Sequence, residues 1–352
     1  MRTLKPYKSK FFINSDGIFY LNSFFKKNNR KIFILVDSNT KIFCLDYFIS
    51  LFNIKNKTIV LTIPSGEVSK SVDCVTFLIN ELINHNADKD SVLFNLGGGV
   101  VSDLGGFVAS IFNRGISYVN VPTTLLAQVD ASLGGKNGVN FNGIKNKIGL
   151  INNPIFTIIL TDFLKTLPEE EIISGYGEIF KYGLISNPKL WFKISSFDIY
   201  KVVDLEEIIH QSVMIKESIV KQDFYDDGLR KVLNFGHTIG HAIESCSEDG
   251  FQISHGLSVV SGMICELYIS HVLLKIPKKD LNQIVRTLVN KFPLKKINNK
   301  DSIINFIRQD KKNKKGKFLF SLISKIGTCY FDQEVSEDIV KESLNFYNTL
   351  HD

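Results

Sequence analysis

The stretch Ser91-Val92-Leu93-Phe94-Asn95-Leu96-Gly97-Gly98-Gly99-Val100-Val101-Ser102-Asp103 decides the fold class. Ser91–Leu96 is a short, nearly continuous apolar run, the pattern of a strand buried on both faces. Three glycines end it. A helix-like segment follows, which Asp103 is expected to open. Strand, glycine turn and helix make half of a parallel α/β unit. Glycines let a backbone approach a pyrophosphate, and a helix amino end adds favourable charge. The glycines alone also fit a plain tight turn. Neither G-x-G-x-x-G nor Gly-Lys-Ser/Thr is present.

Working outward, Lys31–Asp37 and Thr58–Ile63 also read as buried strands, with further strands at Tyr118–Val121, near Val139–Phe141 and at Phe156–Leu160. Ser69–Asn86 has apolar residues at helical spacing, with Ser69 and Ser71 as candidate caps. From about Pro168 the pattern turns helical: Glu169–Ile185, Leu205–Asp223, Leu233–Ser245, Gly256–Leu274, Lys279–Phe292 and a closing helix Glu337–Leu350. Phe318–Phe331 is richer in β-formers and fits a short hairpin or a sheet edge. The expected fold is a Rossmann-like α/β nucleotide-binding domain over residues 1–170, then a mostly α-helical domain over 171–352.

A hydrophobic content of 44% with 22% charge supports a large core and excludes a disordered chain. The first twelve residues lack the apolar run of a signal peptide, and no unbroken apolar stretch approaches a bilayer span. Five scattered cysteines, an odd number without metal-ligand spacing, fit reduced thiols and a cytoplasmic location. The run Lys311-Lys312-Asn313-Lys314-Lys315-Gly316-Lys317 fits a solvated loop or, through its first lysines, an anion clamp. It has no interleaved aromatics to support nucleic-acid binding.

The chemistry concentrates in the second half. Glu178, His237 and His255 each sit in a glycine-punctuated segment. One carboxylate and two imidazoles form the ligand set of a catalytic zinc site with an open position. His237 and His241, four apart on an expected helix, also share a face and suit one metal by themselves. Lys181 lies on the face of Glu178. With Arg114, Lys136, Lys145, Lys216 and Arg230 it forms a set of cations, many at turns, suited to a substrate bearing phosphate and carboxylate groups.

These residues fall in stretches that resemble the 3-dehydroquinate synthase family over nearly the whole chain. They are Ser65-Gly66-Glu67-Val68-Ser69-Lys70, Gly97–Asp103, Arg114-Gly115-Ile116, Val121–Lys136, Lys145-Asn146, Phe163–Pro168, Ser174–Gly183, Arg230–His241, His255-Gly256 and Asp310-Lys311-Lys312. The resemblance implies a homodimeric lyase. It would use NAD and Zn2+ or Co2+ to convert 3-deoxy-D-arabino-heptulosonate 7-phosphate to 3-dehydroquinate and phosphate. It implies that Glu178, His237 and His255 hold the metal. Cofactor contacts would come from Asp37, Asn39, Ser65, Gly66, Glu67, Val68, Ser69, Lys70, Gly98, Gly99, Val100, Val101, Ser102, Asp103, Thr123, Thr124, Lys136, Lys145, Phe163, Leu164, Lys165 and Thr166. Substrate and catalytic contacts would come from Asp130, Lys136, Asn146, Lys181, Lys216, Arg230, Asn234, His241, Lys311 and Lys312, with Arg114 reaching the neighbouring subunit. The implied partners include neither nucleic acid nor membrane.

Glu170, Ser102, Phe224 and Asp226 depart from the family pattern, and Ser102 is expected to crowd the pyrophosphate. The alternatives are another sugar-phosphate cyclase, making an inosose, a valiolone or an amino analogue, and a metal-dependent alcohol or glycerol dehydrogenase. Lys216 and Arg230 together favour a carboxylate substrate, which the amino-analogue cyclase shares.

Overall fold

The computed structural model describes residues 10–27, 30–52, 58–200, 205–246, 253–309 and 317–351. Contacts divide the chain into two compact units, Met1–Pro168 and Glu169–Asp352.

The first unit runs β1 (Phe11–Ile13), α1 (Asn14–Lys27), β2 (Ile32–Asp37), α2 (Ser38–Phe43), α3 (Leu45–Ser50), β3 (Thr58–Ile63), α4 (Val72–Asn84), β4 (Val92–Gly97), α5 (Gly99–Ile111), β5 (Ser117–Pro122), β6 (Lys136–Phe141), β7 (Ile144–Ile151) and β8 (Phe156–Ile159). Six strands form one parallel sheet in the order β1-β8-β5-β4-β2-β3. Alternation along β2 sends Ile32, Ile34 and Val36 to one face, with Phe48 and Phe94, while Phe33 and Leu35 join Leu78, Leu104 and Val108 on the other. Burial on both faces explains the unbroken apolar runs. The strand expected near Val139–Phe141 exists as β6, but it pairs antiparallel with β7 outside this sheet. Ser71 caps α4 through Cys74 N–H. Asp103 lies in the second turn of α5 rather than at its start.

The second unit runs α6 (Glu169–Ile185), α7 (Pro188–Ser195), α8 (Leu205–Gln222), α9 (His237–Ser245), α10 (His255–Leu274), α11 (Lys278–Lys291), α12 (Lys300–Arg308), β9 (Phe318–Lys325), β10 (Thr328–Val335) and α13 (Glu337–Thr349). The helix expected over Leu233–Ser245 is interrupted. Leu229–Asn234 is a 3-10 turn, and Gly236, at φ +81°, reverses the chain before α9 begins.

Helix α10 is the hub, packed on α6, α9, α11, α13 and β9. It is long and apolar enough on average to pass for a membrane span, but Glu266 interrupts it and it is mostly buried within this unit. Its glycines set the spacing. A Cβ on Gly256 would lie 1.9 Å from the Ser174 carbonyl oxygen, and one on Gly262 would lie 2.0 Å from the Gly236 carbonyl oxygen.

Because the obstacle at Gly256 is backbone, Gly256→Ala must push α10 off α6. Overpacking of this kind costs about 1–3 kcal/mol. A thermal melt of the variant is therefore expected several degrees below wild type. An unchanged melt would mean that the two helices are not in this contact.

Candidate functional site

Helix α6 presents Ser174, Gly177, Glu178 and Lys181 along one face, at spacings of three and four residues. Ser174 Oγ accepts the N–H of Gly256 at 3.0 Å, which docks the start of α10, and hence His255, beside Glu178. Glu266, midway along α10, is fully buried. Its carboxylate accepts the N–H of Gly236 at 2.6 Å and that of Ile239 at 3.4 Å. It thereby stabilises the turn and amino end that present His237.

These supports converge on the Glu178 carboxylate, which is 0% exposed. Oε2 pairs with Lys181 Nζ. Oε1 lies 3.3 Å from His237 Nε2 and 3.6 Å from His255 Nε2. His241, one turn along α9, has its ring 5.1 Å from that of His237 and 5.8 Å from that of His255. Ligand nitrogens of the three histidines lie within 4.8 Å of one another. Two donor triads, one with Glu178 and one with His241, therefore share His237 and His255.

The electrostatics follow from burial and pairing. Burial pushes the Glu178 carboxyl up, but Lys181 and the imidazoles outweigh it and hold the group well below the usual carboxylate range. Burial, assisted by Lys181, lowers His237. Burial also works against charge on His255, but hydrogen bonds to Glu178 and Glu244 overcome it and raise the group to about 9. The far ring nitrogens have acceptors: His237 Nδ1 lies 3.2 Å from the Phe235 carbonyl and His255 Nδ1 lies 3.3 Å from Glu244 Oε2. A divalent cation would displace the Nε2 proton of His255, leaving each imidazole in its Nδ1–H form with an Nε2 lone pair on the side of the Glu178 carboxylate. Such a set of electron-rich atoms suits a divalent cation.

Lys216 of α8 and Arg230 are both buried. Asp223 accepts the backbone N–H groups of Asp227 at 3.1 Å, Gly228 at 2.7 Å and Arg230 at 2.9 Å. Arg230 Nη1 donates to the Phe224 carbonyl at 2.9 Å, a backbone contact that the Phe224 departure leaves intact. Asn234 ends the 3-10 turn, two residues before Gly236. Asp226 stands at φ +63°, a left-handed conformation that aspartate tolerates better than most side chains. Lys311 and Lys312 lie outside the described residues.

In the first unit, the strand order reverses between β2 and β4, the switch point where open α/β sheets bind ligands beyond their carboxyl ends. Asp37 ends β2 and Gly97 ends β4. Asp37 accepts the N–H groups of Asn39 and Thr40, capping α2. Beyond β3, Ser65 N–H donates to Ser38 Oγ, Gly66 sits at φ +93°, Val68 is exposed and Ser69 Oγ donates to the Pro64 carbonyl. Lys70 pairs with Asp103 at 2.5 Å. Beyond β5, Thr123 is buried and Thr124 Oγ1 accepts the N–H of Ala127. Gly98 caps α5, and Gly99 and Val100 open it. Val101 and Ser102 are buried, with the Ser102 hydroxyl enclosed in the fold. Phe163 and Leu164 are buried too, while Lys165 pairs with Asp162. Thr166 Oγ1 donates to the Phe163 carbonyl. Lys136, Lys145, Asn146 and Arg114 are exposed, and Asp130 is half-buried.

Sequence reasoning missed Asn140, Glu244 and Glu266. Asn140 Nδ2 donates to Glu67 at 2.7 Å, its Oδ1 accepts Asn146 N–H at 2.9 Å and its own N–H donates to the Lys70 carbonyl at 2.8 Å. No spacing rule reveals that hub. Glu266 did leave a signal, as the only Asp, Glu, Lys or Arg in α10.

Asp223 supplies a pH test. Burial raises its pKa, but the three backbone N–H groups and Arg230 prevail and hold it below its usual value. The stabilisation is therefore present above the unfolded pKa of about 3.9 and fades as pH falls through the folded value. Melting curves of Asp223→Asn should lie below wild type near neutral pH and converge with it in acid. A gap that persists in acid would contradict the charged-acceptor role.

A family model described as 3-dehydroquinate synthase N-terminal matches residues 60–174, and one described as 3-dehydroquinate synthase C-terminal matches residues 175–313. A curated 3-dehydroquinate synthase of Parabacteroides distasonis is 40% identical over 322 residues, 90% of this chain and 91% of that one. A crystal structure of 2-deoxy-scyllo-inosose synthase with carbaglucose-6-phosphate, NAD+ and Co2+ superposes at TM-score 0.83 with 26% identity, covering 95% of both chains. A 2-epi-5-epi-valiolone synthase of Streptomyces hygroscopicus, with NAD+ and Zn2+ bound, shares the fold at TM-score 0.84, with 19% identity over 100% of this chain and 99% of that one. The chain belongs to the 3-dehydroquinate synthase family.

Proposed function

We propose that the chain converts 3-deoxy-D-arabino-heptulosonate 7-phosphate to 3-dehydroquinate and phosphate, using NAD and a divalent ion, zinc or cobalt. The observation that carries this reading is the buried Glu178 carboxylate facing two imidazoles and Lys181, in a chain 40% identical to a curated enzyme of that name. Glu178, His237 and His255 are the proposed metal ligands. Bound there, the ion supplies Lewis acidity at a substrate oxygen, and NAD supplies a reversible hydride acceptor.

The chain's own residues do the rest by position and charge. Lys216 and Arg230 form the substrate carboxylate clamp. Their burial strengthens that role, because a desolvated cation gains more from an anion than a hydrated one. His241 and Asn234 serve the phosphate and the proton relay, and the departing phosphate acts as base for its own β-elimination. Lys181, Asp130, Lys136, Asn146 and one or both of Lys311 and Lys312 orient the substrate. The carboxyl edge of the sheet, from Asp37 and Asn39 through the 65–70 turn, Gly98–Asp103, Thr123, Thr124 and residues 163–166, holds NAD together with Lys145 of β7. The working form is a homodimer in the cytoplasm, with Arg114 reaching the neighbouring subunit's phosphate. All five cysteines are free, which suits that compartment.

Purified protein with zinc, NAD and the heptulosonate phosphate should release phosphate and 3-dehydroquinate in equal amounts, with no net NADH. Phosphate without 3-dehydroquinate, or steady accumulation of NADH, would refute the reading. His237→Ala should lose both turnover and bound zinc, measured by elemental analysis. Wild-type zinc content in that variant would remove His237 from the ligand set.

A further inference from the structure

The two imidazoles facing Glu178 are held from behind by unlike acceptors. For His237 the acceptor is a neutral backbone carbonyl, that of Phe235, 3.2 Å from Nδ1. For His255 it is a carboxylate, with Glu244 Oε2 3.3 Å from Nδ1. Glu244 has no part in the reaction proposed above. It lies seven residues after His237, two helical turns along the same face of α9. One helix thus carries a candidate ligand in its first turn and, in its last, the acceptor for a ligand that begins α10. The contact is sheltered, with side-chain exposures of 28% for His255 and 14% for Glu244.

An imidazole that offers a lone pair at Nε2 must carry its proton at Nδ1. An acceptor at Nδ1 selects that tautomer and fixes the plane of the ring. His255 is the first residue of its helix, and its ring also lies against those of His237 and His241, but Glu244 is the acceptor at Nδ1 while Nε2 points towards Glu178 Oε1 at 3.6 Å. We propose that Glu244 is a positioning residue: by accepting the Nδ1–H of His255 it aims Nε2 into the Glu178 site and sets the affinity for the metal ion. The inference rests on the reading of His255 as a ligand.

The test uses the full-length protein without substrate. Zinc affinity is measured by competition with a chelator for wild type and for Glu244→Ala, Glu244→Gln and His255→Ala, alongside melts of each metal-free form. Glu244→Ala should bind zinc about 10–100-fold more weakly, the range for losing such an outer partner. Glu244→Gln, whose side-chain carbonyl still accepts the proton, should recover most of that loss. In zinc-loaded wild type, long-range 15N–1H spectra should show His255 protonated at Nδ1, and Glu244→Ala should lose that single tautomer. Wild-type affinity in Glu244→Ala, with His255→Ala impaired, overturns the proposal. So does an equal loss in the Ala and Gln variants accompanied by equally lowered metal-free melts, which marks a general structural role. Wild-type affinity in His255→Ala refutes the ligand reading itself, an outcome distinct from the other two.

Discussion

A carboxylate with no solvent exposure governs the second unit. Moving such a charge out of water costs several kcal/mol even after relaxation, so Glu178 needs positive charge beside it and polar groups around it. Lys181 answers one oxygen, and His237 and His255 face the other. Each partner comes from a different place in the chain, and each needs its own support. Ser174 and Gly256 bring α10 against α6, Glu266 holds the amino end of α9, and Gly236 turns the chain between the 3-10 turn and α9. The substitutions least tolerated here are therefore not only those of donor atoms. They include glycines whose sole function is to let backbones meet.

The same economy of small residues organises the first unit. A parallel sheet buried on both faces leaves its carboxyl edge as the one place where strand ends and helix starts open together. The reversal of strand order puts Asp37 and the Gly97–Gly99 turn at that edge. Asn140, on a ribbon outside the sheet, ties the 65–70 turn to Asn146. Within this unit, residues proposed for cofactor and for substrate share one hydrogen-bonded scaffold, so a change on either side is felt by the other.

Much of this was legible in the sequence, for physical reasons. Strands buried on both faces leave continuous apolar runs, so β2, β3 and β4 were readable to within a residue, and the long helices α6 and α8 were equally plain. Elements with little to bury were not. β1 has three residues, β7 is largely exposed, and α12 buries only Ile303, Ile304 and Ile307. The helix expected from Leu233 began four residues too early, because the left-handed Gly236 that precedes α9 is a fact of backbone geometry. Glu178, His237, His241 and His255 stood out by type and glycine-rich setting. Glu244 did not, because its meaning depends on which face of α9 meets His255, a fact of packing that one helix's sequence does not contain.

In the proposed site Glu178, and not His241, completes the metal ligands with His237 and His255. The structure brings both candidates near, so the direct measurement is an anomalous difference map from a zinc-loaded crystal. One zinc peak is expected, with Glu178 oxygen, His237 Nε2 and His255 Nε2 at about 2.0–2.2 Å and His241 outside the coordination sphere. A peak held by the three imidazoles, with Glu178 still paired to Lys181 alone, would contradict it.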